Sequence, residues 1–334
     1  AKYLGIDVRI LTGDTAEVTL GVAKKIGMNI QEDDIVSGDI LSTTPEINKH
    51  DLILKTKIFA RVNPKEKYEI LQVLAHRHSV MFLGEGINDA PALKRADVGM
   101  VVQEASDIAK EAADIILTKP DLSVIVESIN FGRQIMDNIS KYILVTLTGN
   151  FGSLYAISLL SVISPVIPLL PTQILLENIL TDVPMIGLVN AHGARERRPA
   201  KQNIRQIAFY SVILGIGILL MQFIFYRMFS HLPTDLFRTM WFIEVVLLEF
   251  ILIVSLHTRE WFWRAKIFTT TTTLFFLGVV AFTLVLPFIP SMSDWFHLVP
   301  YNLNLFLPVL GIVLLGLFIV ETMKKFLFQK NEIS

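Results

Sequence analysis

The chain has 334 residues, of which 52% are hydrophobic and 18% charged, and its formal net charge is −1. This composition is too apolar for a disordered or entirely soluble protein, and no basic excess suggests a nucleic-acid partner. The lack of cysteine excludes disulfides, thiolate catalysis and cysteine-ligated metals. Residues 1–140 contain 16 basic and 21 acidic side chains, whereas residues 141–334 contain 14 and 10. We therefore expect an acidic soluble domain at 1–140 and a lipid-facing helical domain at 141–334.

The first 140 residues alternate short apolar runs with amphipathic stretches. Runs typical of buried parallel strands occur at 8–11, 58–62, 80–83, 98–102 and 114–117. The stretches that follow a helical pattern are 16–26, 64–76, 90–95 and 106–113. This order predicts an α/β fold with a doubly wound parallel sheet, in which ligands bind at the carboxyl ends of the strands.

Two polar clusters stand where strands 8–11 and 80–83 end. Their members are Thr12, Gly13 and Asp14 in the first cluster, and Gly84, Glu85, Gly86, Asn88 and Asp89 in the second. The glycines of the second cluster let the backbone approach a phosphate, and its two carboxylates suit Mg²⁺. Lys67, in the helix that begins at residue 64, offers the positive charge that such a site needs. Each residue alone is ordinary, because an acidic turn after a strand is usually a helix cap, but together they indicate phosphoryl chemistry.

The second part of the chain contains six apolar segments, each long enough to cross about 30 Å of hydrocarbon. They are residues 142–164, 172–190, 207–226, 239–256, 267–289 and 303–320. The basic loop residues concentrate on one side, and only Arg227 and Arg238 fall on the other. The positive-inside rule then predicts a multi-pass protein of the plasma (inner) membrane with both termini in the cytoplasm. The alternative is a set of buried helices in a large soluble protein.

Four carboxylates lie inside these segments. Glu177 and Asp182 are in the second segment, and Glu244 and Glu249 are in the fourth. A charge at membrane depth costs about 2.5 to 3.5 kcal/mol, so it usually faces an ion path or a partner. The same segments contain no Lys or Arg, which makes a cation the natural partner.

The first two segments are predicted to form the cation pocket. Their short connection, residues 165–171, makes them antiparallel neighbours, and Pro184 is expected to break the second helix and free backbone carbonyls. Oxygen ligands favour a hard divalent cation, with Asp182 as the main charge. Glu177 is expected to be an exit residue or a helix contact. The predicted ligands, which share one face of each helix, are Asn150, Ser153, Asn178, Thr181 and Asp182.

The sequence resembles the P-type cation-transporting ATPases. The strings that carry the resemblance are ILTGD at 10–14, ARVNPKEK at 60–67, GEGINDAPAL at 84–93, ADVG at 96–99 and EAAD at 111–114. The resemblance covers essentially the whole chain and implies the end of a haloacid dehalogenase-like phosphorylation domain, a stalk and the fifth to tenth membrane helices. It implies ATP as the substrate of the complete pump, a catalytic Mg²⁺ and an aspartyl-phosphate cycle.

The resemblance also implies roles for individual residues. Lys67 would neutralise the transferred phosphoryl group, and Asp14 would belong to a loop that meets an actuator domain. Asn88 and Asp89 would help to hold phosphate and Mg²⁺. The implied site residues are Thr12, Gly13, Asp14, Lys67 and Asn88 for catalysis, Gly84 and Gly86 for the phosphate loop, and Glu85 and Asp89 for Mg²⁺.

Two features depart from the family pattern. Glu85 stands where the family normally has Asp, and its extra methylene would displace a Mg²⁺ that needs bonds of about 2.0 to 2.1 Å, so either the site relaxes or turnover falls. The Asp-Lys-Thr-Gly string that bears the phosphorylated aspartate is absent from the sequence, as are an actuator domain, a nucleotide-binding domain and four further helices. We expect these parts on a missing amino-terminal portion, through truncation or a split polypeptide, and we expect this chain alone to be inactive.

Two other classes of function remain as alternatives. A stand-alone phosphatase of this fold needs its own nucleophilic Asp with a general acid two residues later, and the first 140 residues offer none in that pattern. An inactive regulatory remnant would show drift at catalytic positions, as at Glu85. The presence of Thr12, Asp14 and Lys67 argues against the remnant.

The transported cation is expected to be Mg²⁺, with Ca²⁺ as the alternative. The strings at 150–152 and 241–244 resemble the magnesium-transporting branch, whereas the string at 177–182 also resembles the calcium pumps. Two-site calcium pumps carry Glu where Ser153 stands. The resemblance therefore implies one ion per cycle.

Overall fold

The structure is a computed structural model that describes residues 4–25, 27–31, 34–119, 121, 123–187, 203–258, 260–264 and 270–329. It divides into two compact units, Ala1–Asn130 and Phe131–Ser334. The division lies within one long helix, as does the predicted domain boundary after residue 140, which stays a prediction.

The first unit is built from short parallel strands and helices. Its described strands are β1 (Ile10–Leu11), β2 (Ile35–Ser37), β3 (Ile58–Ala60), β4 (Met81–Gly84), β5 (Val98–Val102) and β6 (Ile115–Leu117). Its helices are α1 (Ala16–Lys25), α2 (Gly38–Thr43), α3 (Glu46–Lys55), α4 (Pro64–Ala75), α5 (Ala90–Arg95) and α6 (Asp107–Ala112). The five predicted strands are confirmed, whereas β2 and the helices α2 and α3 lie in a region that the sequence analysis left unassigned.

The strands form two three-stranded parallel sheets, with the orders β1-β3-β2 and β4-β5-β6. The strands are parallel, as predicted, but the described residues form two sheets and not one, because β1 and β4 are edge strands that do not pair with each other. The two sheets nevertheless share packing. Helix α4 places Leu71 in the hydrophobic cluster of one sheet and Ile70 in that of the other, and Leu11 and Val80 pack against both clusters.

The second unit is helical throughout its regular structure. Its helices are α7 (Ser123–Gly149), α8 (Tyr155–Ile163), α9 (Pro171–Gly187), α10 (Ile204–Phe229), α11 (Thr234–Leu256), α12 (Thr270–Val285), α13 (Pro290–Phe296) and α14 (Leu303–Gln329). A π-helical turn, Asn150–Leu154, joins α7 to α8, and a 3₁₀ turn, Leu286–Phe288, follows α12. Helix α11 lies at the centre, since Trp241, Phe242 and Ile243 are fully buried and the helix packs against α9, α10, α12 and α14.

Among the described residues, four helices are long and apolar enough to cross a membrane. They cover Ser123–Ile163, Ile204–Phe229, Thr234–Leu256 and Leu303–Phe328. A fifth crossing is possible if Thr273–Phe288 and Pro290–Phe296, which meet at an angle of 86°, act as one span. The predicted count of six is not reached among the described residues. Helix α9, which covers most of the segment predicted at 172–190, is described over only 17 residues and is too short to count as a crossing.

The predicted orientation depends largely on basic residues that lie outside the described ranges. These are Arg195, Arg197, Arg198, Lys201, Arg259, Lys266 and Lys330. The cytoplasmic position of both termini therefore stays a prediction.

Candidate functional site

The turn after β1 is held by its own side chains and by the neighbouring strand. Thr12 Oγ1 donates to Asp14 Oδ2 at 3.1 Å, and the Asp14 amide donates back to Thr12 Oγ1 at 3.1 Å. The Thr12 amide donates to the carbonyl of Phe59 at 2.9 Å, and the Arg61 amide donates to the carbonyl of Asp14 at 2.9 Å. This bonding leaves Gly13 and the Asp14 side chain exposed at the carboxyl end of β1.

Helix α4 places Lys67 on the first turn after a well-formed helix start. Asn63 accepts a hydrogen bond from the Glu66 amide at 2.9 Å, and the Glu66 side chain accepts one from the Asn63 amide at 2.8 Å. This capping box, with Pro64 at the first helical position, begins the helix at a defined residue. The position of Lys67 on the first turn follows from that start.

Lys67 and Asp89 form the central ion pair of the first unit. Lys67 Nζ donates to Asp89 Oδ1 at 2.7 Å, and only 16% and 14% of the two side chains are exposed. The other carboxylate oxygen, Oδ2, faces the backbone amides of Glu85 and Gly86 at 3.3 and 3.4 Å. The structure therefore brings the lysine and the loop after β4 together at the carboxyl end of that strand.

Gly84 is required by this packing. A Cβ atom at Gly84 would lie 2.8 Å from the Cβ of Asp89, which is too close for any side chain. A Cβ atom at Gly86 would have the Asn88 amide nitrogen as its nearest neighbour, at 3.9 Å. Gly84 thus lets Asp89 fold back over the end of β4, whereas Gly86 leaves room beside the loop.

The remaining side chains of the loop are free to meet a ligand. Glu85 and Asn88 are exposed, and Glu85 stands at the end of β4 beside Asp89. Mg²⁺ is usually held by one or two carboxylates together with water and substrate phosphate, so the donor set of Glu85 and Asp89 fits this ion. The described contacts join Lys67 to Asp89 and join Thr12 to Asp14, but they do not join the two pairs to each other.

The second unit contains a pair of neighbouring carboxyl groups that the sequence analysis did not predict. Glu177 on α9 is 9% exposed and lies beside Glu249 on α11, which is half-buried. Glu249 Oε1 would be 3.3 Å from a Cβ atom at Gly149, so this carboxyl also touches the end of α7. Asp182 is near enough to Glu177 for their charges to interact. Helices α9 and α11 therefore bring acidic oxygen atoms to one place beside the end of α7.

A π-helical turn lies directly after Gly149. Such turns are rare and frequently occur at functional sites, because they interrupt the regular pattern of backbone hydrogen bonds. The turn is packed tightly on α10, since a Cβ atom at Gly152 would be 2.4 Å from Ile218 and one at Gly215 would be 2.7 Å from Phe151. The sequence analysis predicted a regular helix here and missed this feature.

The five predicted cation ligands do not form one buried cluster among the described residues. Asn150 and Asn178 are exposed, and Asn178 Nδ2 donates to the carbonyl of Ile174 on its own helix at 2.9 Å. Thr181 is buried and donates to the carbonyl of Glu177 at 3.0 Å. Ser153 and Asp182 are half-buried.

Two expectations about helix α9 are wrong. The helix continues through Pro184 to Gly187 instead of breaking there. Proline lacks an amide hydrogen, so the carbonyl of Leu180 loses its usual partner without a break in the helix. Helix α9 also packs mainly against α11 and α12 rather than forming a closed pair with the first span. Glu177 contacts Glu249 on α11, as the predicted helix contact requires, and its role as an exit residue stays a prediction.

The comparisons with known proteins assign two parts of the chain to two families. Residues 1–97 match the haloacid dehalogenase-like hydrolase family, and residues 166–326 match the family described as cation transporting ATPase, C-terminus. The chain is 33% identical to the magnesium-transporting ATPase, P-type 1 of Escherichia coli K12, over 78% of its own length and 30% of the relative.

Two further relatives extend the comparison. The magnesium-transporting ATPase, P-type 1 of Salmonella typhimurium LT2 is 31% identical over 98% of this chain and 37% of the relative. Calcium-transporting ATPase 1 of Lactococcus lactis is 32% identical over 67% of this chain and 27% of the relative. The chain thus spans about a third of the length of the curated relatives that it matches. It is a membrane protein that belongs to the P-type cation-transporting ATPases.

Proposed function

We propose that this chain is part of a pump that uses ATP to move a divalent cation across the plasma membrane through an aspartyl-phosphate cycle. The observation that carries the proposal is the Glu177–Glu249 carboxyl pair, of which Glu177 is buried, in a bundle of apolar helices. Mg²⁺ is the proposed cation, because two relatives that match 78% and 98% of the chain are named for magnesium. Ca²⁺ is the alternative, supported by the calcium-transporting relative from Lactococcus lactis.

The first unit would act on the phosphoryl group. Lys67, held by Asp89, presents a positive charge at the strand edge, and such charge stabilises a phosphoryl group during transfer. Gly84 and Gly86 shape the loop, Asn88 donates a hydrogen bond to a phosphoryl oxygen, and Thr12, Gly13 and Asp14 form the neighbouring turn. A bound Mg²⁺, held by Glu85 and Asp89, would supply further positive charge toward phosphate.

The nucleophilic aspartate would come from another segment of polypeptide. We propose that this segment adds a parallel strand between β1 and β4. Both strands are unpaired edges of their sheets, and Leu11 and Val80 already pack against the clusters on both sides. On β4, Met81 and Leu83 are exposed although they are apolar, which is typical of a surface that another element covers.

The second unit would hold the transported ion. Six membrane helices from this chain, with both termini in the cytoplasm, would be completed by the four helices of the amino-terminal part. Asparagine side chains exposed on apolar helices, as at Asn150 and Asn178, are costly in lipid and are expected to face a partner helix or an ion. The proposed ligands are Asn150, Ser153, Asn178, Thr181 and Asp182, joined by Glu177 and Glu249.

Reconstitution of the complete pump tests the proposal. Asp182→Asn is expected to remove the stimulation of ATPase activity by Mg²⁺ while leaving phosphorylation by inorganic phosphate intact, because the first unit is unchanged. Asp235→Asn, which alters an exposed carboxylate at the start of α11, serves as the control. Normal cation dependence in Asp182→Asn would move the site elsewhere. Stimulation by Ca²⁺ but not by Mg²⁺ would select the alternative cation.

The remaining alternative is an inactive regulatory remnant, which the glutamate at position 85 favours. The complete protein would then form no acid-stable phosphoenzyme from ATP under any cation condition. The 334-residue chain alone is expected to form none in either case, since it lacks the phosphorylated aspartate.

A further inference from the structure

A second acidic group is buried in the helical unit away from the Glu177–Glu249 pair. Glu244 on α11 and Gln222 on α10 are both fully buried. Gln222 Nε2 donates a hydrogen bond to Glu244 Oε2 at 2.8 Å. The side chains therefore meet as two planar groups in the interior of the helix bundle.

Each of these two groups has one oxygen atom left over. Among the described residues, neither Glu244 Oε1 nor Gln222 Oε1 has a hydrogen-bond partner. Both atoms are acceptors when the carboxyl group is ionised, so neither can satisfy the other. Exchange of the amide oxygen and nitrogen of Gln222 does not help, because it would set an acceptor against the carboxylate. One donor hydrogen between these two oxygen atoms would satisfy both of them.

The charged groups on two helices that pack against α11 have partners other than Glu244. Helix α14 contributes Lys324, whose nitrogen bonds to Glu321 at 2.6 Å and to two backbone carbonyls. Helix α9 contributes Glu177, which faces Glu249, and none of the ion pairs formed by described residues includes Glu244. An ionised carboxylate without a cation is very costly in such surroundings.

We propose that Glu244 is a proton-binding site, occupied as a neutral carboxylic acid that donates to Gln222 Oε1. One proton then removes the buried charge and satisfies both remaining oxygen atoms, since the acid donates to the amide oxygen while the amide donates to the acid oxygen. No bond other than the O–H bond is formed or broken. Trp241 Nε1, one turn earlier on α11, also lacks a partner among the described residues, but it is a donor and does not compete for the proton.

Full burial gives this proton a defined role. Because no part of Glu244 is exposed, we expect the proton to stay bound while the pump exchanges its cation, and the acid–amide pair to join α10 to α11. Glu244 is then a structural acid and not a ligand of the transported ion. This inference does not rest on the proposed transport function, since the protonation state can be measured directly.

Infrared spectroscopy of the purified protein in lipid nanodiscs at neutral pH tests the proposal. The carbonyl band of a protonated carboxylic acid is expected in the wild type and is expected to disappear in Glu244→Gln. Gln222→Leu is expected to keep the band but to shift it to higher frequency, because the acid loses its acceptor. If Glu244→Gln does not fold, the frequency shift of the acid band in Gln222→Leu still tests the proposal.

Functional assays of the complete pump add an independent readout. Glu244→Gln is expected to keep the half-saturating cation concentration within about twofold of the wild type, since an amide can replace the acid in the pair. A wild-type spectrum that loses no acid band on Glu244→Gln would overturn the proposal. A tenfold or larger rise in the half-saturating cation concentration in that variant would also overturn it, because Glu244 would then be a cation ligand.

Discussion

The two units place their charges in different ways. In the α/β unit, Lys67 and Asp89 pair across a partly exposed strand edge, and the loop that holds Asp89 is continuous in sequence. In the helical unit, Glu177 and the half-buried Glu249 come from separate helices and meet with no basic side chain in the pair. Under the proposed function, the phosphoryl site would use opposite charges near water, whereas the cation site would gather like charges between helices. Each prediction below changes one side of this comparison.

Removal of Lys67 is expected to have the largest effect. Without its charge, phosphoryl transfer in the complete pump should slow by about 10³-fold or more, as for other cations that stabilise phosphoryl transfer. Phosphoenzyme formation from ATP in Lys67→Ala provides the measurement. Lys65→Ala, an exposed lysine on the same turn of α4, should behave like the wild type. Equal losses in both variants would show that general charge, and not the Lys67–Asp89 pair, matters.

The buried ion pair of α14 tests whether the helical unit tolerates an unpaired charge. Lys324 is fully buried and bonds to Glu321 at 2.6 Å, and Ser255 donates to the same Glu321 oxygen at 2.6 Å. Lys324→Met should destabilise the protein by about 3 to 5 kcal/mol, because it leaves Glu321 uncompensated. Thermal unfolding in detergent measures the change.

Two companion variants separate charge from packing in that experiment. Lys324→Met combined with Glu321→Leu should recover much of the lost stability, since no charge then stays buried. Lys325→Met, which removes a lysine 5.5 Å from the Trp261 ring, should have little effect. A double variant as unstable as Lys324→Met would show that packing rather than charge dominates.

His257, which follows α11, gives the helical unit a predicted dependence on pH. Burial and, to a lesser extent, the charge of Lys141 lower the pKa of His257, Asp137 opposes them, and the resulting pKa is about 4. The unfolded chain binds a proton near pH 6.5 while the folded chain does not, so stability should be full above that pH and fall as the pH drops toward 4. The loss should reach about 3 kcal/mol.

Melting temperatures between pH 7.5 and pH 4 measure this effect in the wild type and in His257→Gln. The variant cannot take up a proton at this position, so its melting temperature should decline less steeply. Parallel curves for the two proteins would assign the acid sensitivity to other groups.

Glu85→Asp should have the smallest effect. If the longer side chain displaces Mg²⁺, the shorter one should lower the Mg²⁺ concentration needed for phosphorylation, or raise turnover, by a few-fold in the complete pump. Titration of phosphoenzyme formation with Mg²⁺ gives the result. Unchanged values in both measurements would show that the exposed loop has adapted to glutamate.

The sequence alone determined the parallel strands, the apolar helices and the glycine-containing loop after β4. These features depend on neighbouring residues, since a strand needs a short apolar run and the loop needs glycines beside Asp89. The family followed from the same local strings. The proximity of Lys67 to Asp89 could also be inferred from the sequence, because the ends of parallel strands and of the helices between them meet at one edge of a sheet.

Tertiary structure alone decided the arrangement of the buried acids. Glu177 meets Glu249, and Glu244 meets Gln222, through contacts between helices that no sequence spacing specifies. The continuation of α9 through Pro184 was equally hidden, because the packing of a buried helix can outweigh the loss of one backbone hydrogen bond. Apolar periodicity predicts that a helix is buried, but its neighbours depend on how side chains of separate helices fit together.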